Sequence, residues 1–200
     1  MKTPDWSGKT AIVICAGPSL SDEQIDYIGP RNVPAIAVNS AYQCAPWADV
    51  AFAADFMFWK VHGARIKALT TAQPWTTDSS AAERFQINRQ RGGNREGLGT
   101  TVCHTGSGNS GMIAINCAYL WGARKILLVG MDMREIDGKK HRHGDHEKGL
   151  TQVQLFNEWI HKGKKLAEDL AAHGCDVVNC TPGSALPWFR FSTLEKELRC

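Results

Sequence analysis

Residues 11–20 read AIVICAGPSL, and this stretch decides the fold. Small, β-branched and apolar side chains run without alternation up to Cys15, the pattern of a strand covered on both faces in a parallel sheet. Gly17, Pro18 and Ser19 break the run, and an acidic, helix-prone segment follows at 21–28. The turn therefore falls at a strand's carboxyl end. Open α/β sheets bind ligands there, and the next helix directs its free N–H groups and positive end into the same crevice. Gly17 admits close approach to backbone, Pro18 fixes φ, and Ser19 either caps the helix or donates to a phosphate.

Working outward, 33–38 is expected to be a second strand with Asn39 at its carboxyl end, and 50–54 a third that ends at Asp55. Three strand ends would then deliver Gly17, Pro18 and Ser19, Asn39 and Asp55 to one edge of a parallel sheet. Residues 56–69 have helical spacing, with Met57, Phe58 and Trp59 assigned to the core. The segment 70–108 is irregular and carries Arg84, Arg89, Arg91 and Arg95, a run suited to an anionic ligand or a polynucleotide, or to a solvated loop. The loop 106–111, GSGNSG, precedes a helix apolar nearly all round, which makes Ser110 and Gly111 a second phosphate cradle. KILLVG at 125–130 is the clearest strand, and Asp132 lies just past it. A helix at 150–173, a strand at 176–180, a turn with Ser184 as a further ligand contact and a helix at 192–198 close the chain.

The loop 138–149, GKKHRHGDHEKG, is the most reactive-looking stretch. His141, His143, Asp145 and His146 have the spacing of transition-metal ligands, and each is also a candidate general base. The glycine-flanked polar loop 134–150 has the character of a lid.

The chain has 200 residues and a formal charge of +3, enough for one domain and too little charge for a protein that coats nucleic acid. No apolar run is long enough to span a bilayer and the first nine residues lack a signal-peptide core, so a cytoplasmic protein is expected. Seven cysteines, an odd number without a CxxC, read as reduced thiols, with Cys175 and Cys180 the one pair spaced otherwise. The expected fold is a single Rossmann-like α/β domain over 1–200, a mostly parallel sheet with helices on both faces.

GPSL after the first strand, Asn39, the SG before the buried helix, GMDM at 130–133 and TPGSAL at 181–186 together resemble the bacterial sialyltransferases of glycosyltransferase family 42, which use CMP-sialic acid. They also resemble the MptE-like pyrophosphokinase domains of the domain of unknown function 115. The histidine loop after GMDM is similar to a branch encoded by bacteriophages, which would place the protein in the host cytoplasm. The resemblance implies that Gly17, Pro18, Ser19 and Asn39 surround a nucleotide, with Ser110 and Gly111 opposite and a lid histidine as base. Ala16 stands where those sialyltransferases have asparagine, and Asn157 falls near the position of their catalytic histidine, so the base would come from His141, His143 or His146.

The leading expectation is thus a nucleotide-dependent transferase that moves a sugar from a nucleotide sugar, CMP-type favoured, to an acceptor hydroxyl. A modified base in nucleic acid is one conceivable acceptor. The alternatives are an ATP-dependent pyrophosphokinase with Mg²⁺ on Asp55 and Asp132, a nucleotide-sequestering protein without turnover, and a metal-dependent hydrolase with His141, His143, Asp145 and His146 as ligands. A homo-oligomer is compatible with all four.

Overall fold

The computed structural model describes residues 3–144, 150 and 155–199. Ten strands and six α-helices follow in the order β1 (Thr10–Ile14), α1 (Asp22–Ile28), β2 (Ala35–Val38), β3 (Val50–Phe52), α2 (Phe56–Leu69), β4 (Gln73–Thr76), α3 (Ser79–Phe85), β5 (Asn88–Arg89), β6 (Gly92–Gly93), β7 (Cys103–His104), α4 (Ser110–Leu120), β8 (Lys125–Val129), α5 (Phe156–Ala172), β9 (Asp176–Asn179), β10 (Arg190–Phe191) and α6 (Leu194–Glu197). Eight strands form one sheet in the order β10-β9-β8-β1-β2-β3-β4-β5, with every neighbouring pair parallel. The short pair β6-β7 stands apart.

The pleat of β1 divides the core. Val13 faces a cluster with Ile36, Val38, Phe52, Ile113, Ile115 and Leu128, under α4 and α5. Ile12 and Ile14 face the opposite cluster with Ile25, Ile28, Phe58, Trp59, Leu127 and Val129, under α1 and α2. Burial on both faces is why β1 and β8 read as unbroken apolar runs. The α4 helix is buried from Ser110 to Tyr119 and has no polar face to give away its orientation.

Connections run outward from β1 through β2 to β5 on one side, and from β8 through β9 to β10 on the other. Chain direction along the sheet therefore reverses between β1 and β8. Their register, Ile14 opposite Val129, brings Cys15–Gly17 and Gly130–Asp132 side by side at the carboxyl edge. Parallel sheets of this kind place ligands at such a switch point.

Several expectations need correction. Segment 70–108 contains four strands and α3, and β5, β6 and β7 are only two residues long. Met57 is exposed, whereas Phe58 and Trp59 are core. The long helix begins at Phe156, and the last one spans only Leu194–Glu197. Trp188 and Phe189, both expected at the edge of the core rather than in a subunit contact, divide: Phe189 is buried while Trp188 is 39% exposed. The six described cysteines are free thiols, four of them buried. No described helix is long and apolar enough to cross a membrane.

Candidate functional site

A cleft with a cavity volume of about 100 Å³ opens at the switch point. Its floor is made by Cys15, Ala16 and Gly17 after β1 and by Gly130, Met131 and Asp132 after β8, one wall by Asn39 after β2, and another by Asn109, Ser110 and Gly111 at the start of α4. Phe156 and Trp159 of α5 supply an apolar side, and Arg134, Lys140, His141 and His143 form the opposite rim.

Backbone conformation at this edge is unusual. Asn39 and Met133 hold φ of 50° and 52°. Positive φ in non-glycine residues is costly and gathers at functional sites. The close approach of the two loops explains Gly17: a Cβ there would lie 2.0 Å from Asp132 Oδ2 and 2.4 Å from Gly130 O. Gly17 is therefore spent on Asp132 and the β8 loop, and its amide donates to Gly130 O at 2.9 Å. Gly111 is packed likewise, since its Cβ would meet Cys15 Sγ at 2.9 Å.

Asp132 is 2% exposed, and its Oδ2 accepts from the Ser19 amide at 3.4 Å. Its Oδ1 has no hydrogen-bond partner, and neither has the buried Oδ1 of Asn39. Burial raises the Asp132 carboxyl above its ordinary range, against the opposing pull of Ser19 and Arg134. Cys15 beside it is pushed up to about 12, by burial and then by the Asp132 charge, so it is an inert thiol. Buried polar atoms without partners are rare, and two of them belong to residues that line this one cleft.

The α4 helix starts with its N-terminal amides at the cleft wall. Asn109 caps it by accepting from the Met112 amide at 3.1 Å, which leaves the positive end of an eleven-residue helix beside the ligand space. The cap of α1, by contrast, is Ser21, whose hydroxyl accepts from the Gln24 amide at 3.2 Å in a reciprocal capping box. Ser19 is thereby released from the capping role the sequence allowed.

Among the described residues, Arg142 ties the segment 134–144 to the β1 turn and α1. The Arg142 amide donates to Ala16 O at 2.9 Å, and its guanidinium donates to Leu20 O at 2.9 Å and pairs with Asp22. His141 and His143 flank it and line the cleft instead, with rings stacked at 5.3 Å and planes 2° apart. Upstream, Ile136 and Lys139 exchange backbone hydrogen bonds of 3.0 and 2.9 Å across Asp137 and Gly138, both at positive φ. Two consecutive positive φ values over Asp-Gly make a type I′ hairpin turn.

Asp55 lines a second cavity, with Thr77 and Asp78, and Ser110 is the residue common to both spaces. The two carboxylates considered for one Mg²⁺ thus face different cavities. Ser184 does not line the cleft; its hydroxyl donates to Met131 O at 2.7 Å. Thr181 Oγ1 accepts from the Met131 amide at 3.0 Å, so TPGS is a buckle that fixes the loop carrying Asp132. Pro18 and Ser19 are not among the residues that line the cleft, although the Ser19 amide donates to Asp132, which is. Asn157 is exposed. Asp145 and His146 lie outside the described residues, and among those described no group of three or more His, Cys, Asp or Glu is placed to hold a metal ion. Sequence reasoning missed Arg134, Lys140 and Trp159, whose only signal was their position near strand or helix ends.

The solved structure of the sialyltransferase CstII from Campylobacter jejuni, in complex with a substrate analogue, cytidine-5'-monophosphate, superposes with a TM-score of 0.62 over 92% of this chain and 85% of its own, at 14% identity. The chain has a sialyltransferase-like fold. No protein-family model matches the sequence, and no curated protein matches it either.

Proposed function

We propose that the cleft binds a nucleotide-activated sugar of CMP type and that the protein transfers the sugar to an acceptor hydroxyl, with His143 or His141 as the base. The observation that carries this is the meeting, in one switch-point cleft, of the α4 amides with Arg134, Lys140 and two histidines. Such a set favours phosphate. Phe156 and Trp159 offer the apolar side that a base or sugar ring needs, and the CMP held by the fold neighbour supports the cytidine assignment.

In the reaction the acceptor oxygen attacks the anomeric carbon while the bond from that carbon to the phosphate oxygen breaks. The nucleotide leaves with the electron pair, and charge grows on its phosphate. Arg134, Lys140 and the α4 amides stabilise that charge where it develops. The acceptor proton passes to an imidazole, whose ordinary pKa near 6.5 suits a base at neutral pH.

Calorimetric titration with CMP, UMP and AMP tests the binding half. CMP binding that weakens in Arg134→Ala and Lys140→Ala is expected, and absence of any cytidine binding overturns the reading. For the chemistry, His141→Ala and His143→Ala should keep CMP affinity while one of them lowers turnover by ~10²–10⁴-fold. Full turnover in the double variant would remove the histidines from the mechanism.

A further inference from the structure

The two ends of the sheet carry charge differently. At one end Arg190 of β10 bonds to Asp176 at 2.9 and 2.7 Å and to Glu197 at 2.7 Å, and Lys125 pairs with Glu197 at 2.9 Å. At the other, Arg89 of β5 donates to Thr77 O at 3.5 Å. Arg84 lies in the last turn of α3, and Arg91 and Arg95 follow β5. All four arginines are exposed, and among the described residues none has a carboxylate at ion-pair distance. Residues 56–95 hold seven of the chain's 23 Lys and Arg and two of its 20 acids, Asp78 and Glu83, so this segment carries +5 within a chain of +3. Asp78 is engaged by the Ala81 amide at 2.7 Å. Of the two acids that border the segment, Asp55 lines the groove beyond Ser110 and Glu96 pairs with Lys162 at 3.7 Å.

The arrangement is linear. The Gln90 side chain accepts from Trp121 Nε1 at 3.1 Å and its amide donates to Thr76 O at 2.9 Å, so the ladder continues past Arg89, and alternation sends Arg89 and Arg91 together to the opposite face. At about 3.3 Å per residue they stand about 6.6 Å apart along an open edge, a row suited to successive charges on one extended chain. Arginine's planar fork takes a phosphate through two hydrogen bonds at once. A bilayer surface fits less well, because it needs apolar side chains among the cations to insert. Residues 84–95 expose no large apolar side chain, and the exposed Met57 and Leu69 of α2 stand twelve residues, about 18 Å, apart. A lone nucleic-acid strand calls for exposed rings on which bases stack, whereas Phe85 packs on Phe56 at 5.2 Å.

We infer that this end of the sheet is a docking surface for a nucleic-acid duplex, held by its phosphates on Arg84, Arg89, Arg91 and Arg95. Contacts of this kind position a duplex and carry no sequence information. A duplex held there lies beside Gly92, Gly93 and Asn94, which line the groove that meets the cleft at Ser110. The docking stands on the charge and geometry of this edge; that the same nucleic acid carries the acceptor hydroxyl rests on the transfer reading of the cleft.

Fluorescence anisotropy of a labelled DNA duplex with the full chain, free of nucleotide, tests the surface. Binding is expected at about 50 mM salt, with log K falling against log salt at a slope of about −3 to −4, since each phosphate held releases close to one counterion. The triple variant Arg89→Gln, Arg91→Gln and Arg95→Gln should bring the slope to about −1 and weaken binding by ~10-fold or more. Removing the same charge elsewhere, with Lys9→Gln, Lys164→Gln and Lys196→Gln, should leave affinity and slope nearly unchanged. If the arginine triple variant does not fold, the pair Arg91→Gln and Arg95→Gln, which keeps the Arg89 contact to Thr77 O, should take about two units off the slope. No duplex binding at about 50 mM salt, an equal loss in the lysine variant, strong preference for one duplex sequence, or displacement of the duplex by vesicles of phosphatidylglycerol and phosphatidylcholine in equal parts each overturns the inference. Failure of CMP to bind sinks the transfer reading alone, and failure of the duplex to bind sinks the docking surface alone.

Discussion

The Arg142 amide donates to the carbonyl of Ala16, so the histidine-bearing segment is stitched to the first strand's turn at the very edge of the cleft it borders. Alternation along His141, Arg142 and His143 turns one side chain toward α1 and the two imidazoles inward. Arg142→Ala removes the guanidinium contacts to Leu20 O and Asp22 and keeps the backbone stitch. Hydrogen exchange over 134–144 should accelerate and CMP affinity should fall by about 5- to 30-fold, the scale of one to two charge-assisted hydrogen bonds. Global stability should change by less than ~1 kcal/mol, as for other half-exposed ion pairs.

Gly17→Ala is expected to cost about 1–3 kcal/mol or more, because overpacking at a fixed backbone contact forces a loop to shift. Two atoms oppose the new Cβ, and the nearer, Asp132 Oδ2, lies 2.0 Å away. Urea unfolding midpoints measure the loss. Because Gly130 O remains at 2.4 Å, the double variant Gly17→Ala with Asp132→Ala should recover only part of it.

Asn116 is 1% exposed and spans the chain between two loops. Its Oδ1 accepts from the Gly99 and His104 amides at 2.9 and 2.8 Å, and its Nδ2 donates to Gly99 O at 2.8 Å. Asn116→Leu leaves three buried backbone groups unpaired, each worth about 1–3 kcal/mol when stranded. Limited proteolysis should cut first between 94 and 105, well before the sheet opens.

Asp132 gives the protein a pH signature. Its carboxyl is raised by burial, so the folded chain holds that proton more tightly than the unfolded chain does. The stability this confers is full below the ordinary carboxyl range near 3.8 and is lost as pH rises through the raised folded value. Asp132→Asn should therefore gain on the native chain in urea midpoint at pH 7, and the gain should shrink at pH 4. A gain that grows on acidification would contradict the burial account.

At the other end of the sheet the sign reverses. Glu197 is held well below the usual carboxylate range by Arg190 first, with Ser192 and Lys125 adding to it. Arg190 bonds to Glu197 Oε1 at 2.7 Å and to both Asp176 oxygens at 2.9 and 2.7 Å. Its contribution is present above the ordinary range near 4.5 and is lost as pH falls toward the lowered folded value. Glu197→Gln should lower the thermal midpoint at pH 7 and make it less sensitive to acid.

The strands that build the switch point were legible because burial on both faces leaves an unbroken apolar signature, as in Ile12–Ile14 and Leu127–Val129. The sheet between 70 and 108 was not, since two-residue strands such as Asn88–Arg89 carry no periodicity. Gly17, Asn39, Ser110, Gly111, Asp132, His141 and His143 meet where strand ends were expected to gather. Asp55 and Ser184 fall elsewhere for a physical reason: one faces the space beyond Ser110, and the other spends its hydroxyl on Met131 O. The Asp137-Gly138 turn was in plain view as a hairpin signal, hidden by the histidines that follow it.

The outermost strands, β5 and β10, are each two residues long. A pairing partner from another molecule finds almost no ladder to extend, and at each edge it meets an arginine, Arg89 or Arg190. Short, charged edges of this kind suppress strand addition between molecules. The eight-stranded sheet thus has two open ends but offers a ladder of only two residues at each.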